Sequence, residues 1–249
     1  MSDWAHAYFE RGYAQRWNLA PPSEASAHEV GWLWNELLLR PNDRVADIGC
    51  GHGKYAFALA SHGASVVGVD SASALLQRAR RFGAKIGTPL WVQGDMRFLP
   101  LCSSHFQAAV LFDAFGFFER EEENELVLSE LGRVLTPTGR VALRVANAEP
   151  ILRAFRATDR EEQDGVTVDV TRMLELEPPR LIERIVINGP TGRGEFERRQ
   201  RLYRLPELRS ALQRKGLSVK SVSADISGAS FHHTSSSAMF VVAEVARAA

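Results

Sequence analysis

The chain has 249 residues, and its 30 lysines and arginines balance 30 aspartates and glutamates, so the formal net charge is zero. That balance leaves no long-range field to gather nucleic acid or an anionic membrane surface. Its only cysteines, Cys50 and Cys102, form no C-x-x-C pair, no leader-like segment opens the chain, and no apolar run approaches the roughly 18 residues of a membrane span. The expectation is a reduced, cytoplasmic protein without a structural metal, with no nucleic acid or membrane partner.

In chain order, residues 4–17 and 24–39 have the spacing of two amphipathic helices, broken at Pro21-Pro22, with Ser23 as a cap for the second. Val45–Ile48 reads as a strand and Lys54–His62 as a helix stopped by Gly63. Ser65–Val69 is a second strand, and Ser71 caps a helix running to Phe82. Leu90–Val92 is a short strand. Phe106–Phe112 is a near-continuous apolar run, as expected for a parallel strand buried on both faces. Arg120–Leu135 is helical, and Pro137-Thr138-Gly139 turns the chain into a strand at Val141–Val145. This alternation predicts an open, doubly wound parallel sheet with right-handed crossovers.

The rhythm changes near Asn147. Val166–Leu176, Leu181–Asn188 and Glu195–Tyr203 read as strands with no helix between them, which predicts an antiparallel meander. Pro206–Lys215 is then a helix, and Leu217–Ser223 and Ala238–Val245 are closing strands.

Between the first strand and its helix lie Gly49, Cys50, Gly51, His52 and Gly53, preceded by Asp47, and Asp70 follows the second strand. A strand, a glycine turn, a helix and a second strand ending on an acid make the framework of a nucleotide pocket. The backbone can approach a ligand at glycine, and the acid sits where a ribose diol needs an acceptor. The dinucleotide fingerprint G-x-G-x-x-G is not met, because its third-glycine position holds Lys54. A carboxylate at Asp47 would repel a pyrophosphate but favour an ammonium group. A nicotinamide-dependent oxidoreductase is therefore disfavoured.

Asp47-x-Gly49-x-Gly51-x-Gly53 resembles the first motif of class I S-adenosylmethionine (SAM)-dependent methyltransferases. The likeness extends to Asp70, the Gly94-Asp95-Met96 corner, the strand ending at Phe112-Asp113, and Leu135-Thr136-Pro137-Thr138-Gly139, a mild departure from the family's usual L-K-P-G-G. Phe112–Glu119 and Arg201-Leu202-Tyr203 are similar to a bacterial small-molecule subgroup that includes aminosugar N,N-dimethyltransferases. The resemblance implies an α/β, Rossmann-like seven-stranded sheet whose last strand is antiparallel. It divides the chain into an N-terminal helical lid (1–40), a SAM-binding core (41–149 and 204–249), and an antiparallel β insertion (150–203) over the active site.

The resemblance also implies the cofactor contacts. The turn Gly49, Cys50, Gly51 and Gly53 would lie against the methionine end of SAM, with Asp47 on its ammonium. Asp70, with Ser71 beside it, would take the ribose hydroxyls, while Asp95 and the Met96 amide would take adenine. The Leu111 or Phe112 carbonyls would face the ammonium and sulfonium, and Tyr13 or Tyr8 would touch the cofactor from a lid.

Methyl transfer from a sulfonium is an in-line displacement that chiefly needs alignment and exclusion of water. Asp113, after the fourth strand, is a candidate base or anchor for a cationic amine, and His232 and His233 are further candidate bases. Arg144 and Arg201 either bind an anionic acceptor or pair with acids such as Glu149. Tyr8, Phe9, Tyr13 and Trp17 form an aromatic stripe that packs on the domain or serves as the lid. The acceptor is expected to be a small molecule taking methyl on N or O, with the chain acting as a monomer or homodimer. The alternatives are a SAM-binding protein without transfer activity and an enzyme with a protein acceptor. The absence of a D-P-P-Y-type element after the fourth strand and of a basic stripe disfavours nucleic acid.

Overall fold

The computed structural model describes residues 7–12, 24–83, 89–163, 165–190 and 192–246. Tyr13, Trp17, Pro21-Pro22 and Ser23 lie outside them. Helix α1 (Glu24–Glu36) precedes β1 (Arg44–Ile48), α2 (Lys54–Ser61), β2 (Ser65–Asp70), α3 (Ser73–Gly83) and β3 (Leu90–Gln93). Next come β4 (Phe106–Phe112), α4 (Glu121–Val134), β5 (Leu135–Ala146) and the short α5 (Ala148–Arg153). Strands β6 (Thr158–Gln163), β7 (Val166–Leu176), β8 (Pro179–Gly189) and β9 (Gly192–Arg201) follow, then α6 (Leu205–Arg214), β10 (Leu217–Ser223) and β11 (Ala238–Val245).

Seven strands form one sheet in the order β10-β11-β5-β4-β1-β2-β3, and four form a second in the order β6-β7-β8-β9. In the large sheet β11 runs antiparallel to both neighbours, while β1–β5 pair in parallel. The expected Rossmann-like sheet, with its last strand antiparallel and a separate antiparallel sheet, is therefore present.

Period-2 alternation in β4 explains the layering. Ala108, Val110 and Phe112 point to one face, where Val30 and Leu33 of α1, Leu37 just after it, and Tyr55, Ala56 and Leu59 of α2 pack. Ala109 and Leu111 point to the other, against Val127, Leu128 and Leu131 of α4 and Leu208 and Leu212 of α6. Both faces are covered, which is why the strand reads as an unbroken apolar run rather than an alternating one.

Three local readings need correction. Thr158–Gln163 is a strand that its polar sequence, TDREEQ, concealed. Pairing with β7 along its whole length supplies what composition did not. The short helix at Ala148–Arg153 was also missed; Asn147 caps it through its side-chain oxygen. Pro137–Gly139 does not delay the strand, because β5 already starts at Leu135. Phe106 faces Leu135 and Ala108 faces Arg140, so residues 136–139 bulge from a continuous strand. The first amides of α3 also have acceptors that the sequence did not show. Asp70 accepts from Ala72 at 2.8 Å, while Glu10 accepts from Ser73 at 2.5 Å and Ala74 at 3.0 Å. The capping carboxylate comes from 63 residues earlier in the chain, which no local pattern could reveal.

Asn147 is also the tie between the end of β5 and the segment before β11. Its side-chain amide donates to the carbonyls of His233 and Ser236, each at 2.8 Å, and its backbone amide donates to Ser237. Replacing Asn147 with alanine removes both of these side-chain hydrogen bonds, an expected cost of about 1–3 kcal/mol. Chemical denaturation measures that loss, and hydrogen exchange of residues 232–237 should accelerate.

Candidate functional site

The candidate site lies at the carboxyl edge of β1, β2 and β4, where ligands sit in open α/β sheets. After β1 the backbone makes a tight turn with Gly49, Gly51 and Gly53 all at positive φ. Gly49 is required on two grounds: its φ is +66°, and an added Cβ would lie 2.6 Å from the Ala114 Cβ. The turn is bound to β2, since Gly49 and Cys50 donate to the Val69 carbonyl at 2.8 and 3.1 Å. Cys50 is buried beneath it, and burial pushes its thiol well above the ordinary range.

Asp47 points into the α1/α2 side of the sheet and is 2% exposed. It accepts a hydrogen bond from the Ala56 amide in the first turn of α2, but its Oδ2 is buried with no hydrogen-bond partner. Burial is the main reason its carboxyl is pushed up to about 7, partly offset by the Ala56 amide and reinforced by Asp70. A buried carboxylate oxygen without a donor is costly unless something cationic reaches it.

Asp70 joins the turn to the next helix. Its Oδ2 accepts from the Gly51 amide and its Oδ1 from Ala72, each at 2.8 Å. Burial raises its pKa, against those hydrogen bonds, and the nearby Glu10 adds to the rise. The carbonyl of Ser71 accepts from Gln93 at 3.1 Å, and the Gly94 amide donates to the Asp70 carbonyl at 3.0 Å, so the next corner is tied in. There Asp95 is gripped by Arg97, which donates to it from its backbone at 2.9 Å and from its guanidinium at 2.6–3.2 Å, and which also pairs with Glu123. Desolvation opposes the effect, but Arg97 holds the Asp95 carboxyl below the usual range. Met96 leans back towards the turn, with its Cε 3.5 Å from where a Gly49 Cβ would stand. Leu111 and Phe112 have buried side chains, so a ligand could meet only their backbone.

On the far side of β4, Asp113 sits at φ +56° with its side chain 55% exposed. Arg144 of β5 grips it, donating from Nε at 2.7 Å and from Nη2. The expectation that Arg144 pairs with an acid holds, but not with Glu149, whose partner is Arg204 at 2.6 Å. Strand register explains the choice: Phe112 lies opposite Arg144, and Asp113 donates its amide to the Arg144 carbonyl at 3.0 Å. Glu149 lies two residues into α5 instead. Arg201 is buried and pairs with Glu207 and Glu121. His232 and His233 are exposed side chains on the segment that Asn147 pins.

Sequence reasoning missed Glu29 and Tyr55 behind Arg144, Glu10 beside Asp70, and Arg97 at Asp95. Each makes a contact across the chain or within a loop that no periodicity encodes. Two further walls stand over the edge. Tyr8 is buried against Val168, Val170, Ile185 and Ile187 of the second sheet, and Phe9 packs on Ala72, Leu75 and Phe117. The loop after β4 is latched to the same sheet through its carbonyls. Phe115 accepts from Gln200, Gly116 from the Arg201 amide, and Phe118 and Glu119 from Arg180.

The raised Asp47 pKa has a measurable sign. A carboxyl that titrates near 3.8 when unfolded and about 7 when folded favours the folded state most below the lower value. That contribution is lost as pH rises towards the upper one. Asp47→Asn removes this term, so its stability relative to the unsubstituted protein should improve between pH 4 and 7 and level off above. Urea unfolding of both proteins across that range measures the difference.

Residues 45–139 match the family model described as a methyltransferase domain. The chain is 34% identical over 137 residues to the 2-phytyl-1,4-naphtoquinone methyltransferase of Synechococcus elongatus, across 50% of this chain and 58% of that protein. It therefore spans little more than half the length of that relative. Over a longer stretch it is 27% identical to the cypemycin N-terminal methyltransferase of a Streptomyces species, covering 80% of this chain and 82% of that one. Among solved structures it is similar to the CcbJ methyltransferase of Streptomyces caelestis, with a TM-score of 0.82 at 19% identity and 98% of each chain covered. The glycine turn and the two acids around it, Asp47 and Asp70, fall within residues 45–139. Residues 45–139 of this chain thus match a methyltransferase domain, and the chain as a whole has the Rossmann-like fold of solved methyltransferase structures.

Proposed function

We propose that the chain moves a methyl group from SAM to a nitrogen or oxygen of a small molecule, with an amine nitrogen as the favoured acceptor. The observation that carries the donor assignment is Asp47, a buried carboxylate with one oxygen unpartnered beneath a glycine turn. The ammonium at the methionine end of SAM supplies the cation that this oxygen lacks. Asp70 and Ser71 would receive the ribose, Asp95 and the Met96 amide the adenine, and the Leu111 and Phe112 carbonyls would face the sulfonium. The turn Gly49, Cys50, Gly51 and Gly53 would flank the methionine chain. Tyr13, assigned here to the lid, follows directly on the Tyr8–Gly12 segment.

When bound, SAM brings a methyl group already activated on sulfur. The protein's part is to align, to exclude water and to manage one proton. Residues 1–40 and 150–203 would close the edge from above, as the Tyr8 and Phe9 contacts suggest. Asp113 supports an amine acceptor, because a half-exposed carboxylate at this edge can hold an ammonium and accept a proton from it, freeing the lone pair with which the nitrogen then attacks the methyl as the bond to sulfur breaks. His232 and His233 are the alternative bases on the facing segment. The cypemycin enzyme is named for methylating an N-terminus, which favours nitrogen and gives one second reading, an amino group carried on a peptide. Two free cysteines suit a reducing compartment such as the cytoplasm.

Isothermal titration with SAM is expected to give one site per chain. An ammonium beside Asp47 favours its ionised form, so binding near pH 6–7 should release a proton, and the measured heat should vary with the buffer's ionisation enthalpy. Asp47→Asn should abolish that dependence and weaken binding at least tenfold, about 1.4 kcal/mol. Tight binding by the variant with an unchanged proton count would refute the assignment.

A further inference from the structure

Behind Asp113 lies a polar cluster that the cofactor does not need. Arg144 donates to both oxygens of Asp113. On its other side Arg144 approaches Glu29 of α1 at 3.7 Å and the Tyr55 hydroxyl of α2 at 3.4 Å. Tyr55 donates to Glu29 at 3.0 Å, and Lys54 pairs with the second Glu29 oxygen at 2.6 Å. The guanidinium also stands 5.7 Å from the Phe112 ring and 5.8 Å from Phe240, in cation–π range of both. Glu29 is buried, whereas Asp113 opens to the site.

The gradient of exposure is informative. Lys54 and Arg144 offset Glu29 and Asp113, so the cluster is neutral overall and offers no free cation for an anionic acceptor. Its one open end is the Asp113 carboxylate. Asp113 is also one of four non-glycine residues described with positive φ, a conformation needing support from its surroundings. Two strands, two helices and two aromatic rings converge to supply that support through one side chain.

Resting on the reading of an amine acceptor, we propose that Arg144 is a positioning residue for the transfer: braced by Glu29, Tyr55, Phe112 and Phe240, it fixes Asp113 where the acceptor amine must lie. Lysine could reproduce its charge but not its two-pronged grip on the carboxylate. The charged and titratable groups that bear on Asp113 through this cluster are Arg144, Glu29, Lys54 and Tyr55, with Asp47 acting on Tyr55 from the next strand.

The test uses the full chain loaded with SAM and a panel of primary amines, amino sugars and short peptides, scored by tritium transfer. With the best acceptor, Arg144→Met is expected to bind SAM within twofold of the unsubstituted chain while KM for the amine rises at least tenfold. The acid limb of its kcat/KM profile should move to higher pH, because removing an adjacent positive charge makes a carboxylate easier to protonate. Arg144→Lys should restore the pH limb more fully than KM. An unchanged KM and acid limb in Arg144→Met would overturn the proposal, as would loss of SAM binding in parallel with activity. A chain that binds SAM but methylates none of the amines overturns the amine reading and this inference with it, while the donor assignment stands. Failure of the unsubstituted chain to bind SAM instead strikes the donor assignment.

Discussion

The carboxyl edge depends on β1 lying between β2 and β4. Val45 pairs with Val66 on one side and Ala108 on the other, and the connections leaving β1 and β4 diverge to opposite sides of the sheet. A crevice opens at that switch point because no crossover fills it. Asp47, the glycine turn, Asp70 and Asp113 surround this one opening, and none would meet the others if the strand order were different. Parallel pairing brings the ends of strands together, and residues that follow those ends inherit the proximity.

Within that frame, the parts nearest the turn were legible from the chain itself. The apolar run of β4 and the glycines after β1 are local patterns with direct physical causes. What was not legible came from three sources. β6 is built of polar residues and exists because β7 offers it a partner. The bulge at residues 136–139 is a register effect visible only against Phe106. Glu10, Glu29, Tyr55 and Arg97 contribute side chains whose partners are fixed by how elements fold onto each other. Arg144 illustrates the boundary well. Its pairing with an acid was foreseeable, but choosing Asp113 over Glu149 required the register of β4 against β5.

The second sheet is more than an appended hairpin stack. Its inward face holds an apolar patch under Tyr8, then Glu183 clamped between Arg172 and Arg198, and then Gln200 reaching the loop after β4. Glu183 is buried, and the two arginines keep its carboxyl below the usual range despite desolvation. Removing one arginine from such a group leaves a charge poorly matched, so the sheet's interior tolerates little change. The loop bearing Phe115 to Glu119 is thus bounded by a stiff wall on one side and by α4 on the other, where Asn124 holds both the amide and the carbonyl of Phe118.

The contact of Glu10 with the start of α3 has a kinetic meaning. It closes a loop of more than sixty residues, and such closures carry an entropic cost that nearby contacts do not. The docked position of the Tyr8–Gly12 segment depends on α3 and on the distant β7–β8 pair, which supply its contacts. The same segment is held by a few side chains rather than by a strand ladder. It is accordingly the piece whose detachment demands the least of the folded core, an opening of the kind that occurs far below the free energy of global unfolding. The wall over Asp70 can thus part from α3 and the second sheet without breaking a strand ladder.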